Sequence, residues 1–403
     1  QINVINIQNN FPIQNARVTI SYKGEPDRTV EQLTTNSSGQ TEQVQLPAPP
    51  VEYSLEPSII QPYSEYNLMV EAEGFEPLAI SGTEILAQAT AIQPAVMTPV
   101  GGETPPEDPV VIPDHTLYGN YPPKIAEPEI KPVNESGEIV LSRVVVPQTV
   151  VVHDGVPTDS TAKDYYVPYR DYIKNVASSE IYSTWPRATI TANVLAIMSF
   201  TLNRVYTEWY RNQGYDFTIT SSTAFDHKWI YGRNIFESIS LIVDEIFDNY
   251  LSRPGVRQPI LTQYCDGRQV QCPNWMTQWG SKALGDQGYS PIEILRYYYG
   301  DNMYINTAQE ISGVPSSWPG YTLSNGSSGD KVRQMQEQLN VIAGAYPAIP
   351  KVAVDGIYGP ATAASVRKFQ SVCGLPETGT VDYRTWYKIS EIYVGVSRIA
   401  ELV

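Results

Sequence analysis

The sequence predicts a multidomain protein with an all-β N-terminal unit, an α+β central unit and a compact helical C-terminal unit. Its 403 residues exceed the length of one typical domain, so two to four domains are expected. Short apolar runs separated by turn residues fill the first 100 positions, whereas apolar stripes with helical spacing begin beyond residue 151. A segment rich in proline separates these two patterns.

Residues 1–100 predict a series of short strands. The runs INVINI, ARVTISYKG and YNLMVEAEG are separated by turn clusters such as TNSSGQ and LPAPP. This order resembles the small transthyretin-like or carboxypeptidase-regulatory β-sandwich that many extracellular proteins carry. Because the segment has no catalytic constellation, we expect the domain to be structural.

Residues 101–150 predict a linker. The runs GGETPPEDP and YPPKIAEPEIKP are dense in proline and acidic residues, a composition that cannot bury a core. The linker ends in the β-branched stretch EIVLSRVVVPQTVVVHDG, which predicts an extended strand. An exposed Pro-rich connection before a folded domain is a natural place for proteolysis.

Residues 151–315 predict an α+β domain. One apolar stripe with helical spacing runs from Ile190 to Trp209, and a second runs from Ile235 to Tyr250. The strand-like pieces DFTITSST and PILTQY lie outside these stripes.

Glu180 stands where an apolar side chain is expected. Ile173, Val176, Ala177 and Glu180 follow the spacing i, i+3, i+4, i+7, which places them on one helix face. Burial there disfavours the ionised carboxylate, and a carboxyl group protonated near neutral pH suits the cleavage of a glycosidic bond. The alternative is a glutamate at the edge of the stripe that reaches water.

Residues 316–390 predict a compact helical unit, followed by a tail, 391–403, that packs back as a strand or a helix. The segment LSNGSSGDKVRQMQEQLN and the later DGIYGPATAASVRKFQSVCGLPETGTVDYRTW carry the pattern. They are similar to the three-helix peptidoglycan-binding domain over nearly the whole segment. Most of the matching residues shape turns or fill the core, as Gly356 and Phe369 do.

The central domain resembles the SpoIID/LytB lytic transglycosylases. The stretch YIKNVASSEIYSTWPRATITANVLAIMSFTLNR is similar to their first signature and places Glu180 on their catalytic glutamate. The stretch CPNWMTQWGSKALGDQGYSPIEILRYYYG is similar to their second signature and retains Gln278, Trp279 and Gly280. This chain has Gln-Cys-Pro at 271–273 where the family usually has Gly-His-Gly, so the histidine of that signature has no counterpart here.

The order of domains is similar to that of the SleC-type spore cortex-lytic enzymes of clostridia. This resemblance implies a zymogen located at the cortex or coat of the spore and activated by a Csp subtilisin-like protease. We place the activating cut in the segment around Ser142 to Val152. The implied partner is spore cortex peptidoglycan, cleaved between N-acetylmuramic acid and N-acetylglucosamine with a 1,6-anhydro product.

In this scheme Glu180 protonates the leaving oxygen and then accepts the proton of the sugar's C6 hydroxyl. Gln278 and Tyr264 are candidate hydrogen-bond donors to the sugar, or else satisfied structural groups. Trp185 and Trp279 are candidates for stacking on sugar rings, although aromatic side chains also fill cores. The reaction requires no cofactor.

His227, Cys265 and Cys272 form a candidate zinc set, and some SpoIID proteins resemble it in carrying zinc near the active site. Zinc accepts such ligands in tetrahedral geometry, although the spacing of the two cysteines exceeds the usual one. The alternatives are a Cys265–Cys272 disulfide or two free thiols, with a surface histidine.

Two other functions remain open. A muramoyl–alanine amidase would need several zinc ligands, and the chain has three histidines. A non-catalytic protein would only bind the wall. A hydrolase in place of a transglycosylase would need a second carboxylate, for which Asp226, Glu237 and Asp266 are the candidates.

Charge and hydropathy exclude several partners. The formal net charge of −16 argues against nucleic acids and against electrostatic capture by anionic membranes. The sequence contains no run of 18 apolar residues, so we expect no membrane span. The chain starts at Gln1 without a signal-peptide pattern, which is compatible with prior removal of a leader.

Overall fold

The computed structural model describes residues 1–102, 109–132, 141, 143–312 and 318–397. In the N-terminal part the elements are β1 (Ile2–Asn6), β2 (Arg17–Tyr22), β3 (Glu25–Thr34), α1 (Glu52–Leu55), β4 (Tyr63–Glu71), β5 (Leu78–Leu86), β6 (Ala91–Met97) and β7 (Val110–Val111). The central part contains β8 (Val145–Val146), β9 (Thr149–His153), β10 (Asp164–Pro168), α2 (Tyr169–Glu180), α3 (Arg187–Tyr206), a 3₁₀ turn (Arg211–Gln213), β11 (Ile219–Thr220), β12 (Ile235–Phe236), α4 (Glu237–Ile246), β13 (Asn249–Ser252), β14 (Tyr264–Cys265), β15 (Met276–Thr277), α5 (Gln278–Asp286), α6 (Pro291–Tyr299), β16 (Tyr304–Thr307) and β17 (Glu310–Ile311). The C-terminal part contains α7 (Asp330–Ala345), α8 (Pro360–Val372) and α9 (Tyr383–Ser397).

The N-terminal part consists of two sheets around one core. A five-stranded sheet has the order β3-β2-β4-β5-β7, and a three-stranded sheet has the order β1-β6-β12. Alternate residues of these strands, among them Val4, Val18, Val70 and Ala95, are fully buried between the sheets. The structure therefore has the short strands that the alternating runs predict, arranged in two layers, while the transthyretin-like resemblance stays a prediction.

Two strands of this unit come from beyond residue 100. β7 pairs in parallel with β5, and β12, from the central domain, pairs antiparallel with β6. The N-terminal and central parts thus share a sheet. The sequence predicts two parts separated by a loose linker, whereas strand pairing at β7 and β12 joins the later residues to the N-terminal sheets.

Residues 109–132 are packed, which corrects the prediction of a linker that buries no core. Ile112, His115, Leu117 and Lys131 are all buried. Polar contacts with the central domain and a few scattered apolar side chains, such as Ile112 and Leu117, hold this segment, and neither produces a regular apolar periodicity. Residues 103–108, 133–140 and 142, the rest of the predicted linker up to Ser142, lie outside the described residues.

The valine-rich stretch forms extended structure, as predicted, in β8 and β9. β9 is the middle strand of the sheet β10-β9-β11, and Val150 and Val152 are fully buried in it. A protease needs accessible, extended chain, so a cut inside β9 would require this sheet to open. Within the window predicted around Ser142 to Val152, the positions before Val144 are therefore the better candidates for the cut. Ser142 itself lies outside the described residues.

Helix α2 lies at the centre of the central domain, with α3, α4 and β12 against it. It is buried on nearly all sides and not only along the predicted stripe. One reason is a set of buried ion pairs on the neighbouring face, where Arg170 and Lys174 contact Asp244 at 3.3 and 2.8 Å. Both the apolar stripe and the polar face of α2 are therefore covered.

The C-terminal part is a bundle of three helices, as predicted. Val332, Met335, Leu339, Val366 and Phe369 from α7 and α8 are fully buried in its core. Helix α9 continues to Ser397, so residues 391–397 of the predicted tail are its last turns, and residues 398–403 lie outside the described part. None of the described helices has the length and apolarity that crossing a bilayer requires.

Candidate active site around Glu180

Glu180 is the last residue of α2 and is only 3 % exposed. The helix ends there because Ile181 adopts an extended backbone, with φ −137° and ψ 151°. The backbone N–H of Lys228 donates a hydrogen bond of 2.7 Å to Oε1, and the hydroxyl of Tyr264 donates to Oε2. Both carboxylate oxygens are therefore held by donors inside the protein.

Burial raises the pKa of Glu180 above its ordinary value. The charge of Lys124, the N–H of Lys228 and the hydroxyl of Tyr264 act in the opposite direction, because each favours the ionised carboxylate. The net direction is upward, so Glu180 keeps its proton to a higher pH than an exposed glutamate does. Its buried position agrees with the sequence prediction, whereas its catalytic role stays a prediction.

Tyr264 contacts Glu180 directly. It lies in β14, it is buried, and burial next to a carboxylate raises its pKa well above the ordinary value. Its ring stacks on that of His227, with 5.9 Å between centroids, and His227 Nδ1 lies 3.0 Å from the hydroxyl of Tyr172. Burial lowers the pKa of His227 well below its ordinary value, so the imidazole is neutral. Tyr264, predicted to bind sugar, is thus a hydrogen-bond donor to the carboxylate.

Gln278, the first residue of α5, supports the main chain of the same glutamate. Its side-chain amide donates to the backbone carbonyl of Glu180 at 3.1 Å, and the residue is buried. The amide therefore fixes the end of α2 in place. Its predicted role as a sugar ligand stays a prediction.

The two candidate tryptophans face each other. The rings of Trp185 and Trp279 lie 5.0 Å apart in a buried aromatic cluster that includes Tyr182. The indole N–H of Trp185 donates to the carbonyl of Ser54 in α1, at 2.9 Å. Neither ring presents an open face on which a sugar could stack, because the N-terminal part and the core cover them.

The predicted zinc set of His227, Cys265 and Cys272 is wrong. Cys265 and Cys272 form a disulfide, with Cα atoms 6.1 Å apart, so neither sulfur is available as a thiolate ligand. The disulfide alternative is the one observed. Within the described ranges, no group of three or more His, Cys, Asp or Glu side chains has the arrangement of a metal site.

The candidate second carboxylates are differently placed. Asp226 is fully buried and accepts hydrogen bonds from Arg204, Tyr210 and Thr220, so it is a structural centre. Asp266 lines the same pocket as Glu180, but its oxygens accept the backbone N–H groups of residues 268–270. Glu237 opens α4, outside the residues that line this pocket.

Sequence reasoning missed two lysines that contact this site. Lys228 holds Glu180 through its backbone N–H, and Lys124 reaches the pocket from the predicted linker. A backbone donor leaves no signal in side-chain patterns. Lys124 is one of two lysines in a segment rich in proline and glutamate, which is too weak a signal to place it.

Comparisons with known proteins concern the C-terminal part. Residues 328–389 match the family described as "Putative peptidoglycan binding domain". A stretch of 77 residues is 46 % identical to the zinc D-Ala-D-Ala carboxypeptidase of Streptomyces albus G, covering 19 % of this chain and 28 % of that protein. A stretch of 83 residues is 40 % identical to an uncharacterized protein in the bpoA1 3' region of Kitasatospora aureofaciens, covering 20 % of this chain and 64 % of that protein.

Among solved structures, the SleB N-terminal domain is 26 % identical and matches with a TM-score of 0.17, covering 19 % of this chain and 99 % of that one. The chain spans about a quarter of the first curated relative and under two thirds of the second. The match to the family covers α7, α8 and the first half of α9. Within the C-terminal three-helix bundle, residues 328–389 therefore match a peptidoglycan-binding domain.

Proposed function

We propose that the protein is a peptidoglycan lytic transglycosylase that cleaves spore cortex glycan between N-acetylmuramic acid and N-acetylglucosamine, and that it is held as a zymogen. One observation carries the proposal. The Glu180 carboxyl group is buried, is contacted by two donors and has a raised pKa, in a chain that also carries a peptidoglycan-binding domain.

The chemistry needs one carboxyl group that works twice. Protonated Glu180 gives its proton to the oxygen that links the two sugars, and the bond from that oxygen to C1 of the muramic acid breaks. The C6 hydroxyl of the same sugar then bonds to C1, and its proton passes to the Glu180 carboxylate. The product is a 1,6-anhydro sugar, no water is consumed and Glu180 regains its starting form. Such acid–base help is worth about 10²–10⁴ in rate.

The surrounding residues suit these two steps. When Glu180 has lost its proton, the hydroxyl of Tyr264 and the N–H of Lys228 stabilise the carboxylate. Gln278 and the buried body of α2 fix the position of its main chain. Since backbone N–H groups already hold Asp266, a mechanism with one carboxyl group fits this pocket better than a pair of free carboxylates.

The biological setting is part of the proposal and rests on the resemblance of the domain order. The peptidoglycan-binding domain would hold the chain on cortex peptidoglycan, at the cortex or coat of the spore. The activator would be a Csp subtilisin-like protease that cuts before Val144, upstream of the buried strand β9. No cofactor enters the reaction.

Digestion of isolated cortex by the proteolytically activated chain tests the proposal. We expect muropeptides with anhydro-muramic ends by mass spectrometry, and a loss of their release by about 10²-fold or more in Glu180→Gln. The matched control is Glu237→Gln, the same change outside the pocket, which should digest normally. Severed peptides with reducing sugar ends would indicate an amidase, and normal digestion by Glu180→Gln would assign the activity to another group.

A further inference from the structure

Residues 113–132, called the strap from here on, pass over the Glu180 pocket. We propose that the strap is an internal plug that occupies the glycan-binding cleft, so that glycan binds beside Glu180 only after the strap has left. This inference rests on the function proposed for Glu180 and concerns the regulation of that same site.

The strap forms one wall of the pocket. The strap residues that line it are Thr116, Tyr121, Pro122, Pro123 and Lys124. The opposite wall includes Glu180, Tyr264 and Gln278. The space left between the walls is about 60 Å³, enough for a few water molecules and far below the ~300 Å³ or more of an ordinary ligand pocket. A saccharide therefore has no room while the strap is in place.

Lys124 is the strap residue that acts most strongly on the carboxyl group. Its Nζ lies 5.2 Å from the ring centroids of both Tyr264 and Phe200, and it donates to the backbone carbonyl of Asp226. Of the charged groups around Glu180, Lys124 lowers its pKa most. The strap therefore places the Lys124 amine beside the carboxyl group, where the developing charge of the reacting sugar would lie, and burial there lowers the pKa of Lys124 itself.

Two strap residues, Thr116 and Tyr121, hold the strap close to Glu180. The N–H and the hydroxyl of Thr116 donate to the carbonyl of Ser179, each at 3.1 Å, one residue before the glutamate. Tyr121 packs under Lys228, whose Nζ lies 5.0 Å from the ring. Lys228 is the residue whose backbone N–H holds Glu180, so the strap covers both the helix end and the donor loop.

Two carboxylates anchor the downstream half of the strap. Glu127 makes a double hydrogen bond with Arg204, at 2.6 and 2.9 Å, and Glu129 makes one with Arg253, at 2.6 and 2.7 Å. Backbone contacts add to these, since Ile125 donates to the carbonyl of Ala224 at 2.7 Å. Polar contacts dominate this downstream half, while nearer its start the strap places Leu117 in the apolar core.

The chain connections of the strap explain how a proteolytic cut could release it from the pocket. Upstream, the strap follows β7, which belongs to the N-terminal sheet. Downstream, the chain enters the central domain at β8 and β9 through residues that lie partly outside the described ranges. A cut before Val144 would remove the covalent link between the strap and the central domain. The strap would then be held there by non-covalent contacts alone, with its upstream end still joined to the N-terminal sheet.

Binding experiments on the full-length chain test the plug without relying on catalysis. The double variant Glu127→Ala/Glu129→Ala weakens the anchors, while Arg204 keeps its contact of 2.7 Å with Asp226. The matched control removes two carboxylates from exposed ion pairs of the N-terminal sheet, Glu25→Ala/Glu71→Ala. Both are made in the Glu180→Gln background and titrated calorimetrically with a purified tetrasaccharide of alternating N-acetylglucosamine and N-acetylmuramic acid.

We expect the anchor variant to bind the tetrasaccharide about tenfold or more tightly than the control, beyond the contribution of the C-terminal domain that both share. Hydrogen exchange should be faster in residues 113–132 of the anchor variant alone. Equal binding by both chains, with exchange already accelerated in the strap, would overturn the plug. A chain cut at a protease site inserted in place of residues 134–140 provides a second route to the open state, and unchanged binding after its cleavage would also overturn it.

Activity separates this inference from the proposed function. The same anchor variant with Glu180 restored should release anhydro-muramic products from cortex without being cut. Tighter glycan binding without such products would sustain the plug and reject the transglycosylase. Equal release by the intact and the opened chains would reject the plug and sustain the transglycosylase.

Discussion

A buried ion pair links the N-terminal and central parts. Glu84 and Arg233 are 1 % and 0 % exposed and make two hydrogen bonds, at 2.6 and 2.7 Å. Arg233 also donates to the carbonyl of Ser178 at 2.6 Å, two residues before Glu180. We predict that Glu84→Leu strongly destabilises the contact between the two parts, because it leaves the Arg233 charge buried without its partner.

The structure gives the size of the effect. Removing one member of a buried ion pair costs about 3–5 kcal/mol. Burial raises the pKa of Glu84, although Arg233 opposes this, so the pair is costly to bury even when complete. Replacing both residues, Glu84→Leu/Arg233→Met, removes the two charges together. It should recover all but about 1 kcal/mol of the loss, the remainder reflecting the lost bond to the Ser178 carbonyl.

Urea unfolding followed by far-ultraviolet circular dichroism measures these free energies on the transition that includes the N-terminal sheet. Glu71→Leu is the matched control, since its partner Arg17 lies at the surface and such exposed pairs contribute about 0–1 kcal/mol. A cost for Glu84→Leu no larger than that of the control would refute the reasoning. So would a double variant that loses as much as the two single variants together.

Two further predictions concern the site itself. Tyr264→Phe removes a hydrogen bond to ionised Glu180 that is worth ~1.5–3 kcal/mol, so the pKa of Glu180 should rise further and the high-pH limb of the activity profile should move to higher pH. The control is Tyr299→Phe, which removes a buried hydroxyl that donates to the carbonyl of Gln263 and should not move that limb. Cys265→Ser/Cys272→Ser opens a disulfide loop of eight residues and should lower the free energy of unfolding by about 2–3 kcal/mol. The variant and the wild-type protein should have the same metal content. Stoichiometric zinc in metal analysis of the purified wild-type protein would contradict the second prediction.

The parts of the fold that the sequence could predict are those governed by apolar periodicity. Strand alternation in residues 1–100 and helical stripes in the C-terminal part report burial of apolar side chains, and burial decides those elements. Glu180 was found for the same reason, because an acid on an apolar stripe contradicts the pattern. The signal was local in each case.

The strap could not be predicted, because its order comes from contacts, most of them polar, between residues far apart in the sequence. Glu127 and Arg204 are separated by 77 positions, and Glu129 and Arg253 by 124. The composition of the strap gives no apolar pattern, so it resembles a solvated linker until its partners are known. Likewise, the sequence allows Cys265 and Cys272 either a zinc site or a disulfide, and the distance between them in the fold determines which one forms.

The different bonding of the strap and the N-terminal sheet indicates how activation would proceed. The N-terminal sheet is joined to the central domain by strand pairing at β12 and by the buried pair of Glu84 and Arg233, which are costly to break. The strap also has a largely buried pair, Glu127 with Arg204, but its pair of Glu129 with Arg253 is partly exposed and it is not joined by strand pairing to the central domain's β12. We therefore expect its withdrawal to cost less than that of the N-terminal sheet. After a cut before Val144, the strap can therefore leave the pocket while the N-terminal sheet stays bound. Activation would then expose Glu180 first, and Trp185, covered by Ser54 of α1, only where the N-terminal part also departs.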